Sequence, residues 1–144
     1  MTESPRRRAA SGAPWEQRFG YSRAIRARDV VCVSGTVGRN ADGSVPAGAY
    51  AQAHRALEIV IAALADVGAA PEHVVRTRTF ITDISFLDDV ARAHGEVFGD
   101  IRPPTSLVAV AALVAPEYLL EIEADAIVDR VAASASRTVG APYG

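Results

Sequence analysis

Two glutamates one residue apart, Glu121 and Glu123, stand in a segment whose polarity alternates. Leu120, Ile122, Ala124, Ala126 and Val128 face one way, and Glu121, Glu123 and Asp125 the other. Carboxylates about 7 Å apart on one strand face can divide acid and base roles when their environments differ. The same face also reads as salt-bridged, since Arg76 and Arg78 on another strand-like segment supply counter-charges. Glu121 is the better candidate of the two, because it lies nearest the start of its strand, where the loop Val114-Ala115-Pro116-Glu117 opens onto a cleft. Tyr21 and the pair Ser34-Gly35 bracket a hairpin. Glycine directly after a strand serine lets a ligand or a neighbouring backbone approach closely, although the pair alone also reads as a bulge. His94 falls on the apolar stripe of a helix and reads as a satisfied buried or interface histidine. Cys32, within Val30–Val33, reads as a small buried hydrophobe. No Ser/His/Asp spacing marks a nucleophilic triad.

Composition excludes several chemistries. All 15 basic residues are arginine, so there is no lysine for a Schiff base or a phosphate-binding GxxxxGK loop, and no cofactor is expected. The three histidines are far apart and no HExxH spacing occurs, so no metal site is expected. A single cysteine gives no intrachain disulfide framework. With a net charge of −2 and only Arg6-Arg7-Arg8 locally basic, no nucleic-acid partner is expected. No stretch approaches the roughly 18 apolar residues of a membrane span, and no apolar run follows the basic start, so the expected location is the cytoplasm. At 144 residues and 49% hydrophobic, the chain reads as one globular domain.

The elements that must hold these residues follow from periodicity. Residues 1–14 and 131–144 read as flexible tails around a domain at 15–130. Tyr21–Ala27 and Val30–Val37 form a hairpin about Arg28-Asp29. Ala53, Leu57, Val60, Ile61, Leu64 and Val67 predict an amphipathic helix from about Gly48 to Gly68, with Gln52, Arg55, Glu58 and Asp66 off its stripe. Val74–Asp83 reads as a strand, with Val74, Arg76, Arg78, Phe80 and Thr82 on one face. Ser85 predicts the N-cap of a second helix ending at Gly99, and Ser106–Leu113 and Leu119–Val128 are further strands. The order predicts an α+β fold, a mixed β-sheet with two helices on one face. Because Ser106–Leu113 is apolar on both sides, a second copy in a closed oligomer is expected to cover the open face, with pockets between subunits.

Several phrases together carry a resemblance: Gly20-Tyr21-Ser22-Arg23-Ala24, Val31-Cys32-Val33-Ser34-Gly35, Val74 to Asp83, Arg102-Pro103-Pro104-Thr105-Ser106 and Glu121-Ile122-Glu123-Ala124. From Phe19 to Val128 the chain resembles the Rid family, the RidA/YjgF group of reactive-intermediate deaminases also labelled endoribonuclease L-PSP. The resemblance implies a chorismate-mutase-like fold and a homotrimer with three clefts between subunits. It implies that Glu121 positions the attacking water and that Tyr21 and Ser34-Gly35 line the cleft. The family's carboxylate-binding arginine does not carry over, because Thr105 stands at its position. The exchange costs the usual 2-imino acid about 2–5 kcal/mol of binding. Leu107 replaces what is often cysteine and Ala91 what is often asparagine, so the cleft is more apolar than the deaminase type. The resemblance thus implies a branch that binds a small enamine, imine or carbonyl metabolite and hydrolyses or isomerises it. Backbone amides near Thr105 and Ser106 would polarise the electrophile. Two alternatives stay open: a 2-imino acid deaminase in which Arg78 replaces the missing cation, and a small-molecule-binding module without catalysis. Ribonuclease activity, suggested by the family's other label, finds no basic groove or aromatic platform in the sequence.

Overall fold

In the computed structural model, which describes residues 6–129, the segments of period two form one six-stranded sheet and those of longer period form helices packed on it. The strands are β1 (Arg7–Ala9), β2 (Ala24–Ala27), β3 (Val30–Thr36), β4 (Val74–Ile81), β5 (Thr105–Ala109) and β6 (Leu120–Ile127). The helices are α1 (Pro14–Phe19), α2 (Ala49–Asp66) and α3 (Leu87–Phe98). The sheet order is β1-β2-β3-β6-β4-β5. Every neighbouring pair is antiparallel except β4 and β5, whose parallel pairing needs the crossover that α3 provides. The α+β expectation holds, with a third, short helix added.

β1, with Pro14 at the start of that helix, corrects the expectation of a tail for residues 7–14, while residues 1–5 lie outside the described residues. Arg7–Ala9 pairs with β2, and Arg7 Nη2 donates to Asp66 O at 3.3 Å while Arg26 Nη1 donates to Gly68 O at 3.0 Å. Both guanidiniums therefore meet the carbonyl-rich C-terminal end of α2, where cations are stabilising. Pro14 opens α1 and Gly20, at φ 83°, closes it in the left-handed conformation that favours glycine. The predicted tail over 131–144 lies outside the described residues.

The core sits between α2, α3 and one sheet face. Leu57, Val60 and Leu64 of α2 and Val90 and Phe98 of α3 are buried with Val31 and Val33 of β3 and Leu120, Ile122 and Ala124 of β6. Burying each larger side chain contributes roughly 1.5–3 kcal/mol, so this face organises the domain. Gln52, expected off the stripe, is buried too. Its Nε2 donates to Pro46 O and Glu117 O at 3.1 and 3.0 Å, and its Oε1 accepts from Leu119 N at 2.9 Å, fastening the loop that leads into β6.

Three local expectations are corrected. In β4 the register shifts between Val74 and Arg76, so Val74 turns into the core and Val75 is exposed, while alternation holds from Arg76 onward. Ahead of α3, the Asp83 carboxylate accepts from Ser85 N at 2.8 Å, so Asp83 rather than Ser85 caps the single tight turn Ile84–Phe86 that leads into the helix. The strand predicted to run to Leu113 stops at Ala109, because its partner β4 ends opposite it at Ile81.

The open face is charged at its centre, with Glu121, Glu123, Asp125, Arg76 and Arg78, and apolar at its rim. Val30, Val75, Val108 and Ile127 there are 42–51% exposed. Cys32 lies on this face and is exposed, not buried as expected, because Val31 and Val33 on either side take the core positions. No helix among the described residues is long and apolar enough to cross a membrane.

Candidate functional site

Between Val33 and Thr36, β3 inserts an extra residue against β6, so Ser34 and Gly35 form a bulge opposite Glu123. Bulges re-aim strand residues, and here the bulge brings backbone under a carboxylate. A Cβ added at Gly35 would overlap Glu121 Oε1, so the Glu121 carboxyl group rests directly on the Gly35 main chain. Glu121 is partly buried and accepts no hydrogen bond from any described residue. Burial lifts its pKa above the usual carboxylate range; the Arg23 guanidinium opposes that shift and the Glu123 charge adds to it.

Arg23 borders the same bulge. Its Nη2 donates to Gly35 O, and its guanidinium carbon lies 5.6 Å from the centre of the Tyr21 ring. Its Nε is buried and meets no acceptor. Ser34 Oγ donates to Ser22 O at 2.7 Å, which joins the bulge to the strand entrance and commits the hydroxyl hydrogen. A cavity of about 390 Å³ opens beside this cluster, lined by Tyr21, Ile25, Cys32, Ser34, Glu123 and Asp125. Arg8 also lines it, whereas Glu121 and Arg23 do not. Burial of the Cys32 sulfur and the nearby Asp125 carboxylate push its thiol up, so the thiolate is disfavoured.

Of the residues singled out from sequence, the fold brings together Glu121, Tyr21, Ser34 and Gly35. Arg78 shares their face but is occupied: its Nη1 donates to Glu123 Oε1 at 3.1 Å and Asp125 Oδ2 at 3.3 Å. Ser106 pairs with Arg78 on that face, one strand further out. Thr105 and Leu107 alternate to the other side. Leu107 packs against the core, and Thr105 Oγ1 accepts from Thr77 Oγ1 at 2.7 Å. His94 Nε2 lies 2.8 Å from the same Thr77 oxygen. Burial lowers the His94 pKa below the usual imidazole range. Within one chain, then, Thr105 is two strands from β6, about 9–10 Å, and on the opposite face from Glu121.

Sequence reasoning missed Arg23, although it lies within the Gly20–Ala24 phrase. The signal was available, because Arg23 is two residues before Ile25, which pairs with Cys32 on the open face. Among the described residues no group of three or more His, Cys, Asp and Glu side chains is placed to hold a metal ion.

Residues 13–128 match the family model described as Endoribonuclease L-PSP. The chain belongs to this family. It is the RidA/YjgF group that the sequence phrases resemble. A protein of Streptomyces coelicolor, the uncharacterised SCO2049, is 37% identical over 127 residues, covering 88% of this chain and 95% of its own length. The crystal structure of Rv2704 from Mycobacterium tuberculosis, a member of the YjgF/YER057c/UK114 family, is 45% identical. It superposes with a TM-score of 0.79 over 86% of this chain and 100% of that one. The structure of E. coli TdcF with bound serine is 26% identical with a TM-score of 0.73, covering 90% of this chain and 97% of that one. The L-PSP family assignment and the six-stranded α+β sheet therefore agree.

Proposed function

We propose that this L-PSP family chain binds a small enamine, imine or carbonyl metabolite beside Glu121 and hydrolyses it in a cleft completed by a second copy within a homotrimer. The observation that carries the reading is the Glu121 carboxyl group seated on Gly35 with no hydrogen-bond donor of its own and a raised pKa. Such a carboxylate is a stronger base than an exposed one and is free to take a water proton. On an imine, the water oxygen bonds to carbon and the C=N electron pair moves to nitrogen. Glu121 takes a proton from the water and delivers it to that nitrogen, giving a carbinolamine; it then relays the hydroxyl proton to the amine nitrogen, the C–N bond breaks, and ammonia leaves as the C=O bond forms. Tyr21 lines one wall of the cleft. The trimer is part of the reading because Thr105, Ser106 and Leu107 lie on the edge strand away from Glu121, and an edge strand from a neighbouring copy would bring these positions to it. That TdcF was solved with serine bound supports a small polar molecule as the kind of ligand this fold takes.

The test is ammonia release from freshly generated 2-iminobutanoate and 2-iminopropanoate, with a no-protein control. The native chain is expected to accelerate release saturably. Glu121→Gln is expected to lose about 100-fold or more while keeping the same oligomeric state. Equal release by Glu121→Gln would remove the assigned role.

A further inference from the structure

Several arginines tied to the sheet and helices have well-defined partners, while Arg8 and Arg76, which have none among the described residues, are exposed to solvent. Arg78 holds Glu123 and Asp125, Arg7 and Arg26 hold carbonyls at the end of α2, and Arg55 holds Glu58. Arg23 differs. It is partly buried, its only hydrogen bond runs from Nη2 to Gly35 O, its Nε is buried without an acceptor, and among the described residues no carboxylate lies within ion-pair distance of it. The nearest acids, Glu16 and Glu121, feel its charge without an ion-pair contact. Glu16 is already committed to Ser11, accepting from both its N and its Oγ, and Glu121 stays on Gly35. A guanidinium carries five donors in a planar fork, and a partly buried one with a single protein acceptor among the described residues can be met by an incoming anion at its terminal nitrogens, the buried Nε lying out of a ligand's reach.

The geometry also holds the fork in place. Gly35 O anchors one nitrogen, and the guanidinium carbon lies over the Tyr21 ring, 5.6 Å from its centre. The anchor residue is the same Gly35 on which the Glu121 carboxyl group lies, so cation and base flank one bulge. Building on the assignment of Glu121 as the base, we propose that Arg23 is the cation of this site and binds the carboxylate of a small 2-oxo or 2-imino acid, setting its adjacent electrophilic carbon toward Glu121. The charge missing at Thr105 is thereby supplied from β2's approach and not from β5. The ligand is anionic, in contrast to the apolar ligand that Thr105 alone suggests. Arg78, committed to two acids, is not needed for this recognition.

The test is calorimetric titration of the full chain with 2-oxobutanoate and with butanone, its counterpart without a carboxylate. Native protein is expected to bind 2-oxobutanoate at least about 10-fold more tightly than butanone, and Arg23→Gln to lose about that factor. Arg23→Lys should recover part of it by restoring charge without the fork. Arg92→Gln, which removes a guanidinium stacked on Tyr50 in the helix layer, should leave binding unchanged. Glu121→Gln removes a nearby negative charge and should bind 2-oxobutanoate at least as tightly as the native chain. The binding result therefore stands or falls apart from the turnover result. Equal binding by a folded Arg23→Gln would overturn the assignment. So would loss on Arg78→Gln with Arg23→Gln unaffected, or butanone binding as tightly as 2-oxobutanoate, or no binding of either compound. If both Arg23 variants fail to unfold cooperatively, the comparison of the two ligands on native protein decides.

Discussion

Gly35 and Gly38 lie three residues apart, and at both a methyl group would not fit, but different atoms exclude it. At Gly38 an added Cβ would collide with the main chain of Gln52, the residue of α2 whose amide joins three backbone groups of two loops. At Gly35 it would collide with the free end of the Glu121 side chain. The surroundings differ in the same way. Every polar atom of the Gln52 amide has a partner, whereas among the described residues Glu121 accepts no hydrogen bond and Arg23 Nε meets no acceptor. Buried polar groups that are fully paired hold a fold together, and those left unpaired beside a cavity mark where a ligand completes the set.

The largest effect expected from this contrast is on stability. Gly38→Ala forces two backbones apart and should lower unfolding free energy by about 3 kcal/mol, read from urea denaturation. An unfolding midpoint equal to the native one would show that α2 can move away and that Gly38 is not a fixed packing point. Gly35→Ala should behave in the opposite way. A carboxyl group at the end of a flexible side chain can swing aside, so stability should change by less than about 1 kcal/mol. Imine hydrolysis should fall about as far as in Glu121→Gln, and full activity in Gly35→Ala would separate Glu121's seat from its function. The smallest effect concerns pH. Burial raises the Glu121 pKa, so the folded state carries a penalty at neutral pH that is relieved as the group protonates. Glu121→Gln should accordingly be slightly more stable than the native chain at pH 7. The gap should close as pH falls through the raised pKa, and vanish below the unfolded value of about 4.3. Thermal unfolding of both proteins from pH 7 to 4 measures this, and a gap that widens toward acid would mean that Glu121 is stabilised as a carboxylate.

Much of the fold was legible because side-chain period is a local property. The stripe through Leu57, Val60 and Leu64 and the alternation of Leu120, Ile122, Ala124 and Ala126 each found their element within a few residues of the expected ends. What escaped depends on partners. The shift after Val74 arises because β6 sets a register that β4 meets only with an extra residue, and no local pattern announces it. β1 escaped because a run of arginines reads as solvated until the end of α2 is placed beside it. Glu121, Ser34 and Gly35 were each visible as candidates, but their convergence was not, since it follows from the bulge in β3 facing β6.

Arg23 shows the division most clearly. Sequence by itself determined that an arginine stands in the Gly20–Ala24 phrase of the first hairpin, that no lysine is present to take its place, and that Thr105 leaves its own position uncharged. Only the tertiary structure decided which groups are already matched: Arg78 to Glu123 and Asp125, Glu16 to Ser11, and Arg23 in ion-pair contact with no carboxylate among the described residues. The physical reason is that facing is set by the two-residue period of a strand, whereas pairing is set by distances of a few ångströms between strands that only register and bulges fix.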